Sequence, residues 1–144
     1  MTPNSTRSAL KAAAAFCIAI GLAIAAAPFT FLAPGFDLFL DIAHLPVDQG
    51  QQVSTETEAL LSAISGGLLC GLGSAVWLIA HHLYPRDEKM AARIITLTLA
   101  AWYLPDSAGS LAAGAWFNVV MNTGFLALFL IPLSLSAATE KAPA

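Results

Sequence analysis

The distribution of basic residues constrains the fold of this chain more than any other feature of its sequence. Four apolar stretches leave five flanking segments, and the six Lys and Arg residues fall 2, 0, 3, 0 and 1 across those segments. Arg7 and Lys11 precede the first stretch, three basic residues lie between positions 86 and 93, and Lys141 follows the fourth. Cytoplasmic loops of membrane proteins carry an excess of Lys and Arg. The pattern predicts a multi-pass membrane protein with both termini in the cytoplasm.

The composition agrees with a surface that mostly faces lipid. The chain has 144 residues, of which 58% are apolar and only 10% are charged. Soluble domains usually contain about 25% charged residues. The three basic residues at positions 86–93 are interspersed with Asp87 and Glu88, so no basic surface for nucleic acid is expected. The length predicts one membrane domain over residues 1–144.

The apolar stretches predict four membrane-spanning helices, since a span needs about 20 helical residues. Their expected bounds are about 9–33, about 55–83, about 88–104 and about 107–136. Pro34-Gly35 is expected to end helix one. Pro105 is expected to interrupt helix three, which is then either short or continues beyond Pro105 as a kinked turn. The predicted fold class is therefore an all-α, four-helix transmembrane bundle.

The segment between helices one and two predicts a short additional helix, at about residues 36–45. Asp37, Asp41 and His44 are spaced i, i+4, i+7 among apolar residues. This pattern predicts a helix lying in the outer membrane interface, with its apolar side towards the lipid. The same three residues could hold a metal ion on one helical face, but the amphipathic pattern explains them without one, and no metal site is expected.

Two rows of small residues on helix two predict close helix packing. Ala63, Gly67 and Gly71 form one row, and Ser62 and Gly66 begin a second row beside it. Small residues let membrane helices approach closely, and two parallel rows are a stronger signal than a lone GxxxG motif. We expect helix two to pack against helix four near Gly114 within one chain, with association between copies as the alternative role.

Helices three and four carry the main candidate ligand-binding site. Its expected members are Trp102, Asp106, Ser107, Ser110, Asn118 and Asn122. Polar groups at membrane depth must find partners inside the protein, and an ionisable group there is a functional hypothesis by default. In the alternative interpretation Asp106 only caps helix four, and the two asparagines only hold helices together.

No catalytic constellation accompanies these residues. The chain has no Cys-x-x-Cys pair, no acidic residue in helix one, no phosphate-binding loop and no nucleophile elbow. No cofactor is expected either. The favoured function is a non-enzymatic membrane protein that acts through helix–helix packing, as an accessory or self-associating subunit. Its expected partners are the lipid bilayer and either another membrane protein or further copies of itself. The alternative function is a binder or carrier of a small molecule or ion that uses a polar stripe on helices three and four. On helix four the stripe repeats every fourth residue, through Ser110, Gly114, Asn118 and Asn122.

Several segments resemble short bacterial four-helix integral membrane proteins of unknown function. The resemblance rests on the run from Asp106 to Gly114, on Asn118 and residues 122–126, on residues 65–67 with Gly71, and on residues 32–35. It implies the same architecture and the bacterial inner membrane as the location. Some members carry an inherited name, that of a DNA-repair excinuclease. This sequence does not support that activity, because it lacks a nucleotide-binding loop, zinc-binding cysteines and a basic surface.

Overall fold

The computed structural model describes residues 1–140, with side chains for residues 1–138. The described residues form five α-helices and no β-strand. In chain order the helices are α1 (Pro3–Ala26), α2 (Ala33–His44), α3 (Glu56–Leu78), α4 (Glu88–Ala112) and α5 (Trp116–Glu140). A 3-10 turn, Ala27–Phe29, follows α1, and a π-helical turn, Ile79–Leu83, continues α3. Lys141 lies outside the described residues.

Three of these segments are long and apolar enough to cross a membrane. They are Pro3–Phe29, Glu56–Leu83 and Trp116–Ala138. Helix α4 has 25 residues but is not among the three. Glu88, Lys89 and Arg93 in its first turns and Asp106 further along lower its apolar character. The chain is therefore an all-helical protein with three clear candidate membrane spans.

Helices α1 and α2 each have a proline in the first turn. For this reason the observed bounds of helix one and of the short helix differ from the predicted ones. Proline suits the first turn of a helix because the backbone N–H it lacks would have no helical partner there. Thr2 caps α1 by accepting a hydrogen bond from the Ser5 N–H, with Pro3 as the first helical residue. Pro34 lies in the first turn of α2, so the prediction that it ends helix one is wrong. Helix α1 gives way at Ala27 to the 3-10 turn that contains Pro28.

Helix α3 begins with a reciprocal cap. The Thr55 hydroxyl accepts the Glu58 N–H at 3.2 Å, and the Glu58 carboxylate accepts the Thr55 N–H at 2.8 Å. Both acidic residues of the first turn, Glu56 and Glu58, also lie at the positive end of the helix dipole.

Helices α1 and α3 pack through glycines. A β-carbon built on Gly21 would lie 2.6 Å from the Gly66 carbonyl oxygen, and one built on Gly73 would lie 2.9 Å from the Ala14 carbonyl oxygen. The Ser62 hydroxyl donates to the Ile24 carbonyl at 2.8 Å. The row that contains Ser62 and Gly66 therefore faces α1, whereas the sequence predicted helix four as the partner of helix two.

The core lies towards the end of the molecule that holds the start of α1. It draws fully buried residues from four helices, among them Leu10 on α1, Val76 on α3, Ile95 on α4 and Phe129 on α5. The Tyr84 hydroxyl donates to Ser136 at 3.3 Å and joins the loop after α3 to the end of α5. The start of α1 and the ends of α3 and α5 therefore meet at one end of the molecule.

A glycine turn, rather than Pro105, separates α4 from α5. Helix α4 continues through Pro105 to Ala112, and Gly114 adopts a positive φ of 80°. The Gly114 N–H donates to Leu111, and the Ala115 N–H donates to Ser110. These two bonds form the Schellman motif that ends many helices. The predicted bounds of about 88–104 and about 107–136 are therefore wrong at this junction, since residues 107–112 belong to α4 and α5 begins at Trp116.

Candidate functional site

Four polar side chains from α4 and α5 form a hydrogen-bonded group centred on one carboxylate oxygen. Asp106 Oδ1 accepts hydrogen bonds from Asn122 Nδ2 at 2.7 Å, from Asn118 Nδ2 at 3.3 Å and from the Ser110 hydroxyl at 3.3 Å. Asn118 Nδ2 also donates to the Ser110 hydroxyl at 2.8 Å. We call these four residues the Asp106 cluster. All four are partly buried.

The hairpin geometry explains why these residues meet. Asp106 and Ser110 are one turn apart on α4, and Asn118 and Asn122 are one turn apart on α5, so each pair lies on one helical face. The Gly114 turn folds the two faces together. The sequence predicted a single stripe along helix four through Ser110, Gly114 and both asparagines. That stripe is wrong, because it is divided between two helices and Gly114 lies in the turn, with open space around its Cβ position.

Two expected members of the site lie outside this hydrogen-bonded group. The Trp102 ring packs against Phe125, with ring centroids 5.8 Å apart. The Ser107 hydroxyl is buried and has no hydrogen-bond partner among the described residues. Tyr103, one turn from Asp106, forms a 2.8 Å hydrogen bond with Thr123 of α5. Thr123 was not among the predicted site residues, although its i+1 position after Asn122 places it at the same level of the hairpin.

Asp106 forms no ion pair with any residue that the structure describes. The nearest cation along its own helix is Arg93, thirteen residues away, which corresponds to about 20 Å along the helix axis. Two other basic side chains lie at the opposite end of the fold. Arg7 donates to the Ala80 carbonyl at 3.2 Å, and Lys11 lies 4.5 Å above the Trp77 ring. Within the described residues, the negative charge of Asp106 is therefore offset only by hydrogen-bond donors.

The predicted packing residues of α3 divide into two faces. Ser62 and Gly66 are buried against α1. Gly67 and Gly71 are exposed, and a β-carbon at either position would have nothing within 4 Å. The prediction that these two glycines pack against helix four within the chain is wrong, because α1 occupies the opposite side of α3 and α5 packs on α1 and α4 instead. Ala63, in the same row, is half-buried.

The acidic residues of α2 hold the loop that follows it. Asp41 is only 2% exposed, and its two carboxylate oxygens accept the N–H groups of Gln49 at 2.7 Å and Gln51 at 3.0 Å. Asp37 accepts the Val53 N–H at 3.1 Å. The His44 ring nitrogen bonds back to the Leu40 carbonyl at 2.9 Å. A cleft of about 300 Å³ remains between α2 and this loop.

These contacts give the α2 residues a local structural role. The loop after α2 is irregular, so several of its backbone N–H groups have no backbone acceptor. The carboxylates of Asp37 and Asp41 accept hydrogen bonds from these N–H groups, which would otherwise be unpaired. Among the described residues, no three His, Cys, Asp or Glu side chains are grouped so as to hold a metal ion. Asp37 and Asp41 of α2 therefore contact a loop of their own chain. The sequence predicted only that the apolar side of this helix faces lipid, and it did not predict this loop contact.

Comparison with known protein families, with curated proteins and with solved structures finds no match for this chain. The resemblance to short bacterial membrane proteins stays a prediction from the sequence. Inferences about function therefore rest on the geometry of the Asp106 cluster and of the α3 surface.

Proposed function

We propose that this protein is a non-enzymatic integral membrane protein that associates with another membrane helix through the outward face of α3. We define that face by Gly67 and Gly71, with Leu60, Ile64 and Leu68 beside them. The partner that we propose first is α3 of a second copy of the chain. One observation carries the proposal: Gly67 and Gly71 form an open GxxxG surface that no described part of the chain covers.

The chemistry of the outward face supports close helix contact. Leu60, Ile64 and Leu68 are 59%, 48% and 71% exposed, so large apolar side chains flank the two open glycines. Large apolar side chains of one helix can pack by van der Waals contact into the groove that glycines leave on another, and this packing stabilises helix pairs in lipid. The opposite side of α3 already packs through glycines in this way, because Gly66 and Gly21 bring the backbones of α3 and α1 into contact.

We also propose that α4 is a fourth membrane crossing. Helix α4 is about 37 Å long at 25 residues, which is enough to cross a hydrocarbon core of about 30 Å. It runs antiparallel to α5, a clear candidate span, and a tight turn joins the two. Ile95 and Leu99 of α4 also belong to the shared core.

The charge distribution supports an orientation with both termini in the cytoplasm. Arg7, Lys11 and Arg86 contact the end of α3, so these basic residues gather where the amino terminus lies. The loop after α2 and the start of α3 carry only acidic charges. This distribution follows the positive-inside rule. The resemblance to short bacterial membrane proteins supports the bacterial inner membrane as the location.

Cysteine labelling in intact cells tests the orientation. A membrane-impermeant maleimide should label Gln52→Cys from outside, and should label Pro85→Cys only after the cells are broken. The unsubstituted protein is the blank, because its Cys17 and Cys70 lie between α1 and α3. Labelling of Pro85→Cys in intact cells would contradict this orientation.

Native mass spectrometry after gentle extraction tests the association. We expect the unsubstituted protein to retain a second copy, and Gly67→Leu to be monomeric because the larger side chain fills the groove. Gly124→Leu is the matched control, since Gly124 is also an exposed helical glycine with nothing within 4 Å of its Cβ position. Retention of a protein of another sequence, lost in Gly67→Leu, would instead identify an accessory role in a mixed complex. Finding only monomers without a partner, or a dimer that survives Gly67→Leu, would refute the proposal.

A further inference from the structure

The Asp106 cluster contains more hydrogen-bond acceptors than donors. The cluster directs the donors of Ser110, Asn118 and Asn122 towards Asp106 Oδ1 and the Ser110 hydroxyl. Three oxygens are left over: Asp106 Oδ2, Asn118 Oδ1 and Asn122 Oδ1. None of them accepts a hydrogen bond from a described residue, and none is fully enclosed.

Chemistry determines the orientation of the two amides. An ionised carboxylate can only accept hydrogen bonds, so each asparagine must turn its NH₂ group towards Asp106. Each amide oxygen is bonded to the same carbon as that NH₂ group, and Asp106 Oδ2 is bonded to the same carbon as Oδ1. Each free oxygen is therefore only two covalent bonds from an atom that takes part in the hydrogen bonds at Asp106 Oδ1.

The cluster also carries one uncompensated negative charge. Asp106 has no ion pair with a described residue, and it lies six residues, about 9 Å, before the end of α4. A charge at this depth is costly unless it is paired. One carboxylate oxygen and two amide carbonyl oxygens are the ligand types that hard cations prefer.

We propose that Asp106, Asn118 and Asn122 bind an alkali metal cation, on the side of the α4–α5 hairpin near its Gly114 turn. A single positive charge neutralises Asp106, whereas a divalent ion would leave the site with a net positive charge. The bound cation supplies the partner that Asp106 Oδ2 and the two amide oxygens lack among the described residues. The site is separate from the outward face of α3, so it does not depend on the proposed association. The cost of leaving Asp106 unpaired rests on the proposed membrane crossing of α4.

Thermal unfolding of the purified full-length protein in detergent tests this site. The midpoint should rise in sodium or potassium chloride relative to N-methylglucamine chloride at equal ionic strength and constant pH. It should continue to rise with the logarithm of cation concentration above the dissociation constant, since the ion binds only the folded state. Asp106→Asn should abolish the cation-specific rise. Asp48→Asn, which changes an exposed carboxylate in the loop after α2, should retain the cation-specific rise.

A second variant, Asn122→Asp, tests the site even if Asp106→Asn does not fold. Asn122→Asp places a second carboxylate against Asp106, so repulsion should lower the midpoint in N-methylglucamine chloride. Sodium or potassium should then produce a larger rise than in the unsubstituted protein. Equal midpoints in all three salts for the unsubstituted protein would overturn the proposal. A midpoint that depends on pH but not on the cation would also overturn it, because the ligand would then be a proton.

Discussion

Gly21 of α1 and Gly66 of α3 face each other so closely that a β-carbon on either residue would meet the backbone carbonyl oxygen of the other. Backbone atoms cannot rotate away as the end of a flexible side chain can. The contact therefore requires glycine at both positions. It determines how closely α1 and α3 approach, and it directs the other face of α3 away from the protein.

Gly66 and Gly67 are adjacent in sequence but should respond oppositely to the same substitution. Gly66→Ala should lower the free energy of unfolding by about 1–3 kcal/mol, because the added methyl group forces the α1 and α3 backbones apart. Gly67→Ala should leave it unchanged or raise it by up to about 1 kcal/mol, because alanine is the better helix former and nothing lies near its Cβ position. Reversible unfolding in a large excess of mixed detergent micelles measures both values. Under this condition the copies are dispersed as monomers, so association through the outward face of α3 does not contribute. Equal losses for the two variants would contradict this packing of α1 on α3.

The hydrogen bond between Tyr103 and Thr123 should stabilise the α4–α5 hairpin modestly. The Thr123 hydroxyl donates to the Val119 carbonyl at 2.7 Å, so the Tyr103 hydroxyl is the donor between the helices. A double-mutant cycle with Tyr103→Phe and Thr123→Val should give a coupling energy of about 0.6 kcal/mol, which is the average for hydrogen bonds between helices in membrane proteins. The same Tyr103→Phe change combined with Ser134→Ala, near the other end of α5, should show no coupling. A zero coupling for the first pair would mean that the two hydroxyls do not interact.

Gly114→Ala should destabilise the turn between α4 and α5. An L-residue at a φ of 80° is strained, and the left-handed conformation costs alanine roughly 1–2 kcal/mol. Gly109→Ala is the matched control, since Gly109 is an exposed glycine inside α4 and alanine suits that position better. Unfolding free energies should therefore fall for Gly114→Ala and hold or rise for Gly109→Ala. If Gly114→Ala were as stable as the unsubstituted protein, the turn would not adopt this conformation.

Asp41→Ala should loosen the loop after α2 without unfolding the helices. The N–H groups of Gln49 and Gln51 lose an ionised acceptor, and such a bond contributes about 1.5 kcal/mol or more. Hydrogen exchange at these two amides should become roughly tenfold faster or more. Asp41→Asn retains one carbonyl oxygen, so it should release only one of the two amides. Glu56→Ala, an exposed acidic residue at the start of α3, should change neither rate.

The Asp106 cluster shows how far sequence reasoning reaches at the candidate site. The residue types and their separation by multiples of four residues are enough to select Asp106, Ser110, Asn118 and Asn122, because polar groups in an apolar segment need hydrogen-bond partners. The spacing does not reveal that the helix ends between Ser110 and Asn118. Pro105 is the more conspicuous signal for a helix end, but Gly114 provides the left-handed residue that the Schellman turn requires. The assignment of the cluster as a ligand site remains a prediction.

Local signals along the chain suffice for the all-helical character of the protein and for its candidate membrane spans, because apolar length, prolines and caps act on neighbouring residues. Which side of α3 is buried depends on tertiary packing. Gly66 and Gly67 are chemically identical and carry no signal that distinguishes them; only the position of α1 places one in backbone contact and leaves the other open. The same holds for Asp37 and Asp41, which the folded chain turns towards a loop. Periodicity shows which residues share a face, whereas the partner of that face depends on how the whole chain packs.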